Sequence, residues 1–155
     1  MSTAEALELS LLYERDETAW LEAMSALAAD GRHAEMDYRN LSEYLADMAL
    51  RDRREVYSRL AVLLTHILKW EHQPDRRSTL AAKTILEQRS ELTQVFESGT
   101  LRNHAKVVLT KAYADARRRA AVETDLPLSV FPVEDARGID DFLTEPDVVP
   151  GGDEA

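Results

Sequence analysis

Arg59 and His66 are the two residues whose types and spacing come nearest to an acid–base site. Because seven residues make almost two turns of an α-helix, their side chains lie nearly on one helix face. Histidine takes up or releases a proton near neutral pH, and arginine stabilises charge on a phosphate. The pair is therefore a candidate catalytic site.

An arginine followed by four to six residues and then a histidine on a helix resembles the motif of HEPN-type ribonucleases, which are all-helical. The resemblance implies that His66 handles the proton of a ribose hydroxyl while Arg59 stabilises the phosphate. The chain departs from that motif at Leu60, where a polar residue is favoured. In the alternative interpretation, Arg59 is solvated and His66 lies at the edge of the core between Leu63 and Trp70.

Glu43 and Asp47 are the nearest approach to a metal site, because they stand one helical turn apart. Two such carboxylates bind an ion when a histidine from another helix joins them. However, the Glu-x-x-His signature of di-iron bundles is absent, the four histidines are scattered, and there is no cysteine. We expect neither a metal nor another cofactor, and we interpret the two residues as a solvated face that stays a binding candidate.

Trp70 and Gln88 are further binding candidates. Trp70 lies just before the helix-breaking Pro74, so it is either an exposed anchor for a partner or the cover of a structural corner, which we favour. In such a corner, Gln73 would bond a freed backbone carbonyl. Gln88 falls on the apolar stripe of the next helix, and it is therefore either buried and hydrogen-bonded or part of a polar site.

Helical periodicity and turn residues divide the chain into the helices that position these candidates. We predict a frayed helix or docking arm before a first firm helix that begins at Asp16 and stops at Gly31. A later helix opens near Ser78, and we expect Gly99 to close it and Thr100 to cap the next.

Nothing between residues 37 and 72 forbids one continuous helix, which would be about 54 Å long. A compact domain of this size has a radius of gyration of about 15 Å. The apolar stripe also passes through Asp52, inside a run of four charged residues. We therefore predict a break or bend near Asp52, with one helix on each side.

The whole chain of 155 residues is long enough for one domain. We predict an all-α fold: a bundle of about four to five mostly antiparallel helices with an extended C-terminal segment. Residues 1–144 form a single domain in this prediction, and residues 145–155 form a disordered acidic tail. No apolar stretch has the length of a membrane span and no export signal is recognised, so we expect a cytoplasmic protein without a membrane partner.

The net charge of −10 hides a strong segregation. Residues 1–50 contain 3 basic and 11 acidic side chains, residues 51–119 contain 15 and 8, and residues 120–155 contain 1 and 10. A basic middle between acidic ends indicates internal charge matching or a surface for a polyanion. We favour the first interpretation.

Several blocks of the chain resemble a bacterial domain-of-unknown-function family, the one numbered twenty-nine, over residues 12–144. The blocks are Asn40-Leu41 with Glu43, Leu68-Lys69-Trp70, Gln73-Pro74, Arg77-Ser78, Thr84-Ile85, Glu87-Gln88-Arg89, Ala112-Tyr113, Asp115-Ala116-Arg117, Glu123-Thr124 and Phe131-Pro132. The chain departs from the family at Tyr44, where a second acidic residue often follows Glu43. The resemblance implies a small helical bundle and assigns neither an activity nor a site.

Glycine-rich phosphate loops, the Gly-x-Ser-x-Gly pattern and the His-Glu-x-x-His pattern are all absent from the sequence. We therefore predict a non-catalytic interaction or regulatory module. The sequence does not identify its partner, and both another protein and a second copy of this chain stay open. The alternative is a small HEPN-like ribonuclease, or a nucleic-acid-binding protein, that uses the basic middle segment on RNA.

Overall fold

A computed structural model describes residues 2–149. Its helices are α1 (Thr3–Arg15), α2 (Glu17–Ala29), α3 (Tyr38–His72), α4 (Thr79–Val95), α5 (Gly99–Thr124) and the short α6 (Ile139–Phe142). Short 3₁₀ turns cover His33–Glu35, Pro74–Arg76 and Leu128–Val130. No strand occurs among residues 2–149, and the predicted all-α bundle is confirmed.

The chain divides into two compact units, unit 1 (Met1–Leu50) and unit 2 (Arg51–Ala155). Helix α3 contributes residues to both units. The prediction of one domain over residues 1–144 stays a prediction.

Helix α1 in unit 1 has a defined beginning, so the prediction of a frayed helix is wrong. The alternative of an arm that docks through its leucines agrees with the structure, because Leu9 is buried in the same apolar cluster as Trp20 and Leu12 packs against that cluster. The Ser2 hydroxyl accepts the Glu5 backbone N–H at 3.2 Å, and the Glu5 carboxylate accepts the Ser2 N–H at 2.8 Å. This capping box satisfies two N–H groups that a helix leaves open at its start.

The core of unit 1 is built around Trp20, whose side chain is fully buried. Its ring packs edge-on against Tyr13 with centroids 4.7 Å apart, and its indole N–H donates to Asp37 at 3.1 Å. Helix α2 begins after Asp16, as predicted, because that carboxylate accepts the Ala19 N–H at 3.1 Å. Gly31 then follows the helix with φ of +70°, a conformation that glycine adopts without strain.

Helix α3 is continuous over 35 residues, and the predicted break near Asp52 is therefore wrong. Asp52 is exposed, so it interrupts the apolar stripe without placing a charge in the core. Neither proline nor glycine stands in the charged run, and arginine favours helix. Local chemistry thus permits the rod, whose length is about 52 Å.

Pro74 ends α3 at His72, as predicted, and Ser78 caps α4 by accepting the Ala81 N–H at 3.1 Å. The prediction for the next turn is wrong in detail. Ser98 caps α5 by accepting the Leu101 N–H at 3.3 Å, and Gly99 is the first helical residue instead of the last of α4. The Ser98 hydroxyl lies two residues earlier than the Thr100 hydroxyl and satisfies the open N–H group.

Two contacts set the direction of the helices in unit 2. Lys69 pairs with Glu123 at 3.2 Å, and the Lys111 ammonium lies 5.2 Å from the ring centroid of Tyr57. Because both residues advance together along α3 and α5, these two helices run parallel. Arg59 lies 3.8 Å from Glu91, so α4 runs antiparallel to α3.

The segment after α5 is held to unit 2 by bonds to its backbone carbonyls, as predicted for an extended C-terminal stretch. The Tyr113 hydroxyl donates to Pro132 O at 2.6 Å, and Arg117 Nε donates to Phe131 O at 2.7 Å. Phe131 is itself buried. These contacts satisfy backbone groups that no regular ladder covers.

Part of the predicted C-terminal tail packs in the core. Val148 is 6% exposed and belongs to the apolar cluster of unit 2, although it lies within the stretch 145–155 that we predicted to be a disordered tail. Residues 150–155 lie outside the described residues. Among residues 2–149, none of the helices combines the length and the apolar character needed to cross a membrane.

Candidate functional site

A groove with a volume of about 410 Å³ opens on the surface of unit 2. The C-terminal half of α3, the turn Pro74–Arg76, the first turns of α4 and the end of α5 form its walls. Volumes of about 300–1,000 Å³ are typical of small-molecule sites. We call it the His66 groove.

Four ionisable side chains line the His66 groove: His66, Lys69, Arg76 and Glu123. Lys69 Nζ lies 3.2 Å from a carboxylate oxygen of Glu123. Partial burial lowers the pKa of His66 below its usual range; Lys69 lowers it further, and Glu123 opposes the shift. The lowered pKa favours the neutral imidazole, which has one ring nitrogen that donates and one that accepts.

Trp70 lies in the wall of the groove and is only 5% exposed. The Arg77 guanidinium lies 5.3 Å from its ring centroid, and Arg77 Nε donates to the Trp70 carbonyl at 2.8 Å. This arrangement supports the corner over the exposed anchor. The expected partner was wrong, however, because Arg77 and not the Gln73 side chain satisfies that carbonyl.

Hydroxyl groups complete the polar lining. Thr84 and Thr124 donate their hydroxyl protons to the carbonyls of Leu80 and Ala120, at 3.0 and 2.7 Å. Their oxygens therefore keep only acceptor capacity. The Ser78 hydroxyl accepts the N–H of Ala81, and its own proton is not donated in any of the described contacts.

Arg59 is not part of this groove. Its Nε donates to Glu55 at 2.9 Å, one turn earlier on α3, and Nη2 lies 3.8 Å from Glu91 on α4. The structure thus brings His66 together with Lys69 and Arg76, and it places Arg59 among acidic side chains.

Glu43 and Asp47 lie in unit 1, and both are exposed. Within residues 2–149 no group of three or more histidine, aspartate and glutamate side chains is arranged to hold a metal ion. The pair therefore has no third ligand in the part of the chain that the structure describes.

Gln88 on α4 is half-buried, and its Oε1 has no hydrogen-bond partner among the described residues. The sequence left two interpretations of Gln88, and the first of them, a buried and fully hydrogen-bonded amide, does not hold for this oxygen. Gln88 does not line the His66 groove.

Sequence reasoning missed Lys69, Arg76, Leu80 and Glu123 as groove residues. Leu80 is 73% exposed at the rim, although leucine at helical spacing usually indicates core. Glu123 meets Lys69 from 54 residues away, which no local pattern reveals. The one available signal was the Lys-Trp block, which we interpreted only through Trp70.

The fold and this groove define an all-α bundle protein with a mixed polar and apolar surface site. A family model described as "Domain of unknown function DUF29" matches residues 12–146. The chain belongs to that family, as its sequence blocks predict. No curated protein and no solved structure matches the chain.

Proposed function

We propose that this protein is a non-catalytic interaction or regulatory module and that the His66 groove is its binding surface. The observation that supports the proposal most directly is the chemical composition of the groove lining. The groove gathers apolar, donor and acceptor groups around one concave surface, a composition that favours selective binding. A catalytic arrangement of nucleophile, base and orienting group is not among the described contacts.

The sequence blocks that resemble the family support this choice of surface. Seven of the eleven lining residues belong to those blocks. Block residues outside the groove have evident structural tasks: Tyr113 and Arg117 hold the C-terminal segment, and Asn40 donates to the Ser10 carbonyl at 3.3 Å. Groove residues have structural contacts as well, since Ser78 caps α4 and Lys69 pairs with Glu123. Their shared position around one concave surface is what favours a role in binding.

The second candidate function is a ribonuclease or nucleic-acid-binding protein that uses the same groove. The proximity of His66, Lys69 and Arg76 favours it, because cations and a histidine suit an RNA backbone. The ion pairs of Arg59 with Glu55 and Glu91 count against it, since the phosphate-binding arginine of the motif is engaged elsewhere.

Affinity purification of the tagged chain from its host, followed by mass spectrometry of bound proteins, RNA and small molecules, tests the proposal. The variant Leu80→Glu places a charge at the groove rim. Leu86→Glu is the matched control, because Leu86 is 52% exposed on the same helix and does not line the groove. We expect the wild type and Leu86→Glu to retain the same bound molecule and Leu80→Glu to lose it.

Equal recovery of all bound molecules by the three proteins would contradict the proposal. An RNA cleavage assay with wild type, Arg59→Ala and His66→Ala separates the two candidate functions. We expect no cleavage in any of them. Cleavage by the wild type that both variants abolish would establish the ribonuclease instead.

A further inference from the structure

We infer that the His66 groove binds a small molecule through an oxyanion group, a phosphate or a carboxylate, held between Lys69 and Arg76. The inference rests on the proposed function, since it names the ligand class of the same groove. Its first support is the charge of the lining. Lys69 and Arg76 oppose Glu123 alone, while the chain as a whole carries a net charge of −10. A cationic concavity in an acidic protein attracts anions selectively.

The donors near the two cations suit an oxyanion. The Ser78 oxygen accepts the Ala81 N–H, and its own proton has no acceptor among the described contacts, so the O–H can donate to a ligand. Helix α4 has no acidic residue in its first turn, where one would usually compensate the positive end of the helix dipole. Lysine, arginine and hydroxyl donors together form short charge-assisted hydrogen bonds to phosphate or carboxylate oxygens.

The remainder of the groove suits the uncharged part of a small molecule. Trp70, Leu80 and Ala81 provide apolar contact. Thr84 offers an acceptor to a hydroxyl or N–H group of the ligand, because its own proton is already donated. The Thr124 oxygen already accepts the Leu126 N–H at 3.3 Å and keeps one lone pair. A volume of about 410 Å³ suits a metabolite.

Glu123 gives the inference a distinctive signature. Its carboxylate occupies Lys69 in the structure, so an incoming anion must compete with it. Glu123→Gln removes the competitor and frees the ammonium group. This variant is therefore expected to bind an anion more tightly, whereas a purely structural ion pair would give no gain.

The test is a titration of the ¹⁵N-labelled full chain with inorganic phosphate, and separately with acetate, at pH 7 and constant ionic strength. We expect the Trp70 indole and His66 ring signals to shift and saturate in the millimolar range, while the Trp20 indole in unit 1 stays in place. Lys69→Gln and Arg76→Gln should each weaken binding about tenfold. Glu123→Gln should strengthen it, and Lys83→Gln, an exposed lysine of α4 outside the groove, should leave it unchanged.

Saturation with phosphate or with acetate supports the inference and decides between the two anions. Shifts that rise linearly, or that are equal in all variants, indicate general screening and overturn it. No shift with either probe also overturns it. If the Leu80→Glu difference in the purification persists in that case, the proposed function stands with another ligand class, and if it is absent too, both fail.

Discussion

Unit 1 and unit 2 contrast in how their buried and exposed residues are distributed. The buried apolar cluster of unit 1 consists of four residues, with Trp20 as the largest, while its exposed side chains include Leu7, Leu11 and Leu45. Unit 2 buries continuous stripes of α3, α4 and α5, and the apolar cluster includes Phe131 and Phe142 from the C-terminal segment.

The difference teaches where each unit obtains its stability. Unit 1 depends on one large aromatic ring and its bond to Asp37, so a single truncation removes much of its core. Unit 2 spreads burial over many side chains and adds arginine clamps on the C-terminal segment. Unit 2 can therefore form a groove on its surface while most of its apolar side chains stay buried.

The largest expected effect follows from Trp20→Ala, which should destabilise unit 1 by about 4 kcal/mol. The fully buried ring and its hydrogen bond to Asp37 are both lost. Hydrogen exchange of α2 amides measures the change, with Thr18→Ala, an exposed position on α2, as the control. An equal loss of protection in α5 would contradict the contrast between the two units.

Leu64→Ala should destabilise unit 2 by about 3 kcal/mol, because Leu64 is fully buried and the cavity does not collapse completely. Leu86→Ala, at an exposed position of α4, should change stability by less than about 0.5 kcal/mol. Urea unfolding of the two variants, monitored by hydrogen exchange of the α5 amides, measures the difference between them. Similar midpoints for both variants would show that the core of unit 2 lies elsewhere.

Arg137→Gln should cost about 2 kcal/mol, since charged hydrogen bonds of partly buried groups are lost. Arg137 donates to Glu71 at 2.7 Å and to Asp135 at 2.7 Å, and these carboxylates raise the pKa of the guanidinium. Arg102→Gln is the control, because its partner Asp140 is largely exposed. A larger drop in the thermal unfolding midpoint for Arg102→Gln than for Arg137→Gln would contradict a stabilising role of the Arg137 ion pairs.

The smallest effect concerns pH. Because burial lowers the pKa of His66 in the folded state, the unfolded chain binds the proton more readily. Above about pH 6.5, His66 is neutral in both states and does not change the free energy of unfolding. As the pH falls from there through the folded pKa, the unfolded chain takes up the proton first, and the free energy of unfolding decreases. Urea unfolding at pH 7.5 and pH 5.5 should show a smaller loss for His66→Gln than for wild type. Identical losses in the two proteins would mean that His66 is not shielded.

Local signals predicted most helix ends correctly, because each depends on neighbouring residues. Pro74 lacks a donor, Gly31 accepts positive φ, and Asp16 caps α2. The missed cap of α1 was also readable, since Ser2 and Glu5 have the spacing of a capping box. The break at Asp52 was wrong because it rested on the expected size of a domain, while the local residues favour helix.

The sequence by itself determined the all-α class, most of the helix ends and the family, since hydrophobic period, turn residues and motif blocks are all local. Only the tertiary structure decided the groove. His66 and Lys69 line one groove with Arg76 of the following turn and Glu123 near the end of α5, because α3 and α5 run parallel and their C-terminal ends lie side by side. Arg59 and His66 share a helix face but not a site, because packing against α4 directs Arg59 toward Glu91. Such pairings depend on the relative directions of helices, which side-chain spacing within one helix does not encode.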